Sequence, residues 1–184
     1  MIRARLLGTG HHLPEKILTN FDLEKLTDTS DEWIRTRTGI RERHVAGDDE
    51  CMSKFAVEAP RRALEAASVD AKDVDLVICA TVTPDMPIPA TSCSIQQQLG
   101  CRKAAAFDMQ AGCSGVIYAQ SVAKQFLLTS RYRHVLVIGA ELLTKFVDWS
   151  DRTTCVLFAD GAGATLMSAG EAPRGVLASV MHTD

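Results

Sequence analysis

The residues best suited to covalent chemistry lie in FDMQAGCSGVIYAQ (107–120), where Cys113 follows Gly112 and precedes Ser114 and Gly115. If a strand ends near Gln110 and a helix begins near Ser114, the sulfur lies beside free backbone N–H groups at the positive end of the helix dipole. Such a setting favours the thiolate, which is the nucleophilic form. The glycines remove bulk on both sides, so a substrate carbonyl could approach and set its oxygen against backbone donors. The same residues fit a small core thiol at a tightly packed strand-to-helix junction, and the motif alone leaves both readings open.

Other motifs point to less chemistry. GTGHHL (8–13) begins like a dinucleotide fingerprint, but Leu13 stands where its last glycine belongs and no helix-like run follows directly. His11 and His12 read as polar loop, since no third ligand of suitable spacing is nearby, and no metal is expected. DGAGA (160–164) reads as a tight turn. The six cysteines form no C-x-x-C pair and no zinc-like spacing with histidine. Most read as reduced core thiols, with Cys79 in DLVICATVT and Cys155 in TTCVLF inside strand-like runs.

These residues need elements to hold them. RARLLGTG predicts an opening strand, and TNFDLEKL a short helix capped by Thr19 or Asn20. In DTSDEWIRTRTG, Ser30 caps a helix with Asp31 and Glu32 in its first turn and Gly39 as its stop. IRERHV reads as extended. The spacing over 53–67 predicts a helix that Pro60 kinks or splits. VDLVICATVT is a buried strand, TPDMPIP a loop, and SCSIQQQL a helix begun by Thr91 or Ser92 and ended by Gly100. A strand in AAAFDMQ leads to a helix over 113–129 with Val116, Ala119, Ala123 and Phe126 on one face. HVLVIGAE, TTCVLF, ATLMS and GVLASVMH complete a strand cluster. This order implies an α/β fold with a layered, mixed and mostly parallel sheet.

Composition narrows the classes. The 184-residue chain is 46% hydrophobic and 23% charged with net charge −3, as expected of a globular protein with one sizeable core. No apolar run approaches the roughly 20 residues that span a bilayer, and the start MIRARLLGTG lacks the apolar stretch of a signal peptide. A cytoplasmic location with no membrane partner is expected. The basic residues are scattered apart from the cluster between Arg35 and Arg43, which gives no support for nucleic-acid binding.

Four stretches together resemble β-ketoacyl-acyl carrier protein synthase III, a condensing enzyme of the thiolase superfamily. They are TSDEWIRTRTGIRERH (29–44), DMQAGCSGVIYA (108–119), VLVIGAE (135–141) and DWSDRTTCVLFADGAGA (148–164), in that family's order and spacing. The resemblance implies a thiolase-like layered fold and makes Cys113 the acyl-accepting nucleophile, its own N–H contributing to an oxyanion hole. It places Trp33 and Arg152 on either side of the adenine of coenzyme A, a role suited to an indole face and a planar guanidinium. It puts Thr29 at the adenine end and Arg37 near the phosphates. Ile88 falls where the family reaches across a dimer interface to line the partner's acyl pocket. Ala159 and Gly112 depart from the family's usual glycine and alanine, small-for-small changes that bear on acyl specificity.

The implied reaction is a decarboxylating Claisen condensation that starts fatty-acid synthesis. A short acyl-CoA, acetyl-CoA first among them, acylates Cys113, and malonyl-acyl carrier protein then attacks. No cofactor is implied beyond the acyl-CoA substrate. The implied partners are acyl carrier protein, a second copy in a homodimer, and a complementary half. The family's fold has two similar halves, and residues 1–184 are expected to be the amino-terminal half, without the histidine and asparagine that drive condensation. Two alternatives stand beside this: a related condensing enzyme of secondary metabolism, and a noncatalytic half-domain used for dimerisation or for binding coenzyme A and carrier protein.

Overall fold

The computed structural model describes residues 2–182. In chain order the elements are β1 (Ile2–His12), β2 (Ile17–Thr19), α1 (Asn20–Leu23), α2 (Asp31–Thr38), β3 (Glu42–His44), α3 (Met52–Phe55), α4 (Glu58–Ala67), β4 (Leu76–Ala80), α5 (Thr91–Leu99), β5 (Ala105–Met109), α6 (Gly115–Leu128), β6 (His134–Leu142) and β7 (Asp160–Glu171). They fall into two compact units. Unit one draws on Met1–His12, Cys51–Ala140 and Ala162–Asp184, and unit two on Leu13–Glu50 and Glu141–Gly161.

Unit one is built on a five-stranded sheet of order β1-β7-β6-β4-β5. Central β4 runs parallel to both β5 and β6, while β1 is antiparallel to β7. Every residue of β4 is buried, as an all-apolar strand covered on both faces should be. Leu76, Ile78 and Ala80 join Val135 and Val137 beneath Ala119, Ala123 and Leu127, a four-residue repeat that turns one stripe of α6 to the sheet. Phe126 packs at the edge of this core, but Val116, expected on the same stripe, is partly exposed.

A register shift between Leu6 and Gly8 reverses which residues of β1 face each side. Ala4 therefore joins the α6 core, while Gly8 and Gly10 turn toward α4. A Cβ on Gly8 or Gly10 would run into the backbone carbonyl of Ala63 or Ala59. The GTG stretch is thus a strand packed against helix backbone, which is why it carries glycine. His11 and His12 also belong to this strand, paired with Gly163 and Ala162, and not to a loop.

Three further expectations change. Pro60 sits within the first turn of α4, where a missing N–H costs nothing, and the break falls ahead of it, between Phe55 and Glu58. DGAGA is not a turn but the start of β7, its small residues recruited into extended backbone by pairing with β1. GVLASVMH forms no strand: Val176 N–H bonds the Ala4 carbonyl at 2.8 Å, and Leu177, Val180 and Met181 stay exposed.

Unit two contains the two-stranded β2–β3 ribbon, α1 and α2. Its core is Leu23, Ile34, Cys155 and Val156, flanked by Leu18, Trp33, Ile40, Val147 and Trp149. Helix α2 has the expected limits. Ser30 Oγ accepts the Trp33 N–H at 3.1 Å, and Gly39 closes the helix with φ 76°. TTCVLF is a series of turns, not a strand. The Asp151 carboxylate accepts Thr153 N–H at 2.9 Å and the Thr153 and Thr154 hydroxyls at 2.7 and 2.9 Å, a local competitor to extended backbone. Asp160, buried, accepts the N–H groups of Ala46 and Thr144 at 2.7 and 2.9 Å and ties three segments of the unit together.

Candidate functional site

The nucleophile candidate lies where β5 gives way to α6. Residues Gly112–Ser114 form a single 3-10 turn, and α6 starts at Gly115. The helix begins two residues later than the spacing suggests, and Cys113 rides the turn ahead of it. The neighbouring glycines serve different ends. Gly112 has φ +51° with open space where a side chain would be, so its requirement is conformational. A Cβ on Gly115 would come 3.1 Å from the Ala80 Cβ, so that glycine brings the first turn of α6 against the end of β4.

All six cysteines are free thiols, and Cys113 alone is exposed. Cys79, Cys101 and Cys155 are buried, and Cys51 and Cys93 are half-buried. Burial pushes the Cys101 thiol up to about 11 and also raises Cys155, with Asp151 adding to the latter. Those two are poor sources of thiolate at neutral pH. Ile88, in the loop between β4 and α5 of the same unit, is 86% exposed. Its side chain contributes nothing to the core of unit one, as a residue meant for a surface would not.

Unit two assembles a second cluster. The guanidinium carbons of Arg37 and Arg152 lie 4.4 and 5.3 Å from the centroid of the Trp33 ring, both at cation–π distance. Arg37, one turn beyond Trp33 on α2, owes its place to helical spacing. Arg152 comes from the loop after β6, and its Nη1 donates to the Asp28 carbonyl at 2.9 Å, with the Asp28 carboxylate 3.5 Å away. Asp28 has no distinguishing mark in the sequence, because its anchoring atom is a backbone carbonyl. Thr29 Oγ1 is buried without a hydrogen-bond partner. A buried hydroxyl in that state is costly unless something else completes it, a state that Thr91 Oγ1 and Ser92 Oγ share.

Comparisons with known proteins bear on the fold and the family likeness. A family model described as 3-oxoacyl-[acyl-carrier-protein (ACP)] synthase III matches residues 107–184. A curated β-ketoacyl-[acyl-carrier-protein] synthase III of Caldanaerobacter subterraneus subsp. tengcongensis is 56% identical over 183 residues, covering 100% of this chain and 55% of that protein. The crystal structure of 3-oxoacyl-[acyl-carrier-protein] synthase III from Aquifex aeolicus superposes with a TM-score of 0.89 at 49% identity, over 92% of this chain and 55% of that one. The priming β-ketosynthase of the R1128 polyketide biosynthetic pathway gives 0.90 at 39% identity, over 93% and 51%.

The fold is therefore that of the thiolase-like condensing enzymes. Within that class the chain is similar along its whole length to β-ketoacyl-[acyl-carrier-protein] synthase III, and it spans about half the length of the curated relatives it matches.

Proposed function

We propose that this chain is the amino-terminal, acyl-accepting half of a β-ketoacyl-acyl carrier protein synthase III, which joins a short acyl-CoA to malonyl-acyl carrier protein. The observation that carries the reading is Cys113, the one exposed thiol among six, on the turn that enters α6. Its thiolate attacks the thioester carbonyl, backbone N–H groups including that of Cys113 stabilise the oxyanion, and coenzyme A leaves as the thiol. Malonyl-carrier protein then loses carbon dioxide. Its carbanion equivalent forms the new carbon–carbon bond at the acyl carbon, releasing the Cys113 sulfur and a 3-oxoacyl product. The donors that stabilise the enolate belong to the complementary half. Acetyl-CoA is the first acyl donor to test, the protein works in the cytoplasm, and no cofactor beyond the acyl-CoA takes part.

The adenine of the acyl-CoA stacks between Trp33 and Arg152, with Thr29 Oγ1 completed by the base and Arg37 turned to the phosphates. Two van der Waals contacts of about 3.5 Å each require about 7 Å between indole and guanidinium planes. Arg152 at 5.3 Å from the ring centroid must swing outward to admit the base. Its ion pair with the exposed Asp28 carboxylate resists that movement little. Ile88, exposed on each protomer, reaches into the acyl pocket of a second copy in the homodimer.

Incubating the full-length protein with acetyl-CoA and mapping the adduct by mass spectrometry tests the reading. An acetyl group on the Cys113 peptide, absent in Cys113→Ser, is expected; acylation that persists in the variant would sink it. The likeness to a polyketide-priming ketosynthase keeps one second reading in play, a condensing enzyme of secondary metabolism. A profile of acyl donors in which a longer or branched acyl-CoA outruns acetyl-CoA would favour it.

A further inference from the structure

Unit two holds a buried polar pair that the chemistry above leaves unused. Arg43, the middle residue of β3, is 3% exposed, and Asn20 at the start of α1 is fully buried. No carboxylate among the described residues forms an ion pair with Arg43. Its Nη1 donates to the Leu18 carbonyl at 3.1 Å, and its Nη2 to Asn20 Oδ1 at 2.8 Å and the Val156 carbonyl at 3.4 Å. Nε has no partner. The Asn20 amide extends the chain of bonds: Nδ2 donates to Asp31 Oδ1 at 2.9 Å and to the Ile40 carbonyl at 2.8 Å.

The arrangement has a direction. Asp31 opens α2 and Ile40 follows its closing glycine, so one buried amide grips both ends of the helix that carries Trp33 and Arg37. Val156 lies one helical turn's length in sequence beyond Arg152, so the guanidinium grips the loop that carries the other cation. Burying a guanidinium away from any carboxylate is expensive, and apolar residues of similar volume would give more stability. What they would not give is register: Arg presents several N–H groups in a rigid planar fork, and here that fork meets three acceptors on two segments, residues 18–20 and Val156.

We propose that Arg43 and Asn20 are positioning residues for the Trp33, Arg37 and Arg152 cluster, setting the separation of indole and guanidinium and thereby the affinity for the nucleotide end of an acyl-CoA. The proposal rests on the reading of that cluster as a nucleotide site. Acetyl-pantetheine separates the two questions, because it keeps the reacting thioester and lacks the nucleotide.

In the full-length protein, the rate of Cys113 acylation is measured with acetyl-CoA and with acetyl-pantetheine for wild type, Arg43→Met, Arg43→Lys, Asn20→Asp and Trp33→Ala. Arg43→Met removes the fork at similar volume. Asn20→Asp keeps an acceptor for Arg43 and removes the amide that spans α2. Both are expected to lower kcat/KM for acetyl-CoA about tenfold, through KM, and to leave acetyl-pantetheine within about twofold. Arg43→Lys should not restore the rate, since a point charge cannot meet three acceptors in a plane. Equal losses on both substrates, or no loss on either, overturn the proposal. If Trp33→Ala collapses the preference for acetyl-CoA while the Arg43 and Asn20 variants keep it, the positioning role alone fails. If Trp33→Ala also leaves the preference intact, the nucleotide reading fails and takes the proposal with it. Should Arg43→Met not fold, Asn20→Asp decides the matter by itself.

Discussion

Asp108 caps helix α5 across the sheet edge: its carboxylate accepts the Ser92 N–H at 2.8 Å and, through its second oxygen, the Thr91 N–H at 2.7 Å. The residue before the helix is Ala90, which supplies no side-chain cap, so the strand that leads to Cys113 provides the missing acceptor. A charged acceptor at two helix N–H groups also meets the positive end of the dipole. Asp108→Ala is expected to destabilise the protein by about 1–2 kcal/mol. Chemical denaturation of full-length protein measures it, and an unchanged midpoint would show that water serves α5 as well as Asp108 does.

The approach of β1 to α4 gives a second prediction. A methyl group at Gly10 would come 2.6 Å from the Ala63 nitrogen, and backbone, unlike a flexible side-chain end, cannot yield cheaply. Gly10→Ala should cost about 1–3 kcal/mol as an overpacking change. The urea midpoint should fall with an unaltered slope. A variant as stable as wild type would mean that β1 can lift away from α4.

These two sites show what could be read from the chain and what could not. Caps such as Ser30 and stops such as Gly39 and Gly100 are local, and local patterns named them correctly. Asp108 as a cap for α5 was invisible because donor and acceptor are 16 residues apart and meet only through parallel pairing of β4 with β5. DGAGA has poor strand propensity and becomes strand because β1 lies beside it, a tertiary override of a local preference. Trp33, Arg37 and Arg152 stand out only through resemblance to a family, since single cations and an indole carry no chemical pattern of their own. In the sequence Arg43 is one member of a basic cluster. Strand alternation, which buries it between exposed Glu42 and half-buried His44, was the signal that could have set it apart.

The start of α1 predicts a pH effect. Thr19 and Asp22 form a reciprocal cap, with Thr19 Oγ1 2.6 Å from the Asp22 carboxylate and Lys25 Nζ 2.9 Å from its other oxygen. The Thr19 hydroxyl first, then Lys25, lower the Asp22 carboxyl from 3.8 to about 2. A carboxyl depressed on folding binds fewer protons in the native state than in the unfolded one. Its contribution is therefore complete above about pH 4 and is lost as the pH falls through about 2. Thr19→Val should return Asp22 toward its ordinary value, which a carboxyl NMR titration will show. An Asp22 titration unmoved by the substitution would assign the depression to Lys25 instead.

Exposure and burial divide the six thiols sharply enough to predict their order of modification. Iodoacetamide at pH 8 should alkylate Cys113 first, since it is exposed and the others are wholly or half buried. Cys101, held at about 11 and enclosed, should react only when the protein is unfolded. Peptide mapping over a time course reads both outcomes, and early labelling of Cys79 or Cys101 would contradict them. The turn makes the sharper test. Gly112→Ala meets open space but must hold an L-residue at φ +51°, a strain of about 1–2 kcal/mol. Alanine is also the residue that the resembled family usually carries there, so the turn should hold it at a cost in stability, and acetylation by acetyl-CoA should stay within about twofold of wild type; slowing of acetylation alone would assign Gly112 a part in aiming the sulfur. Alkylation by a small reagent, which needs exposure and no particular approach, should barely change. Equal slowing of both reactions would mean that the substitution buries the sulfur, and the role of Gly112 would then be access and not aim.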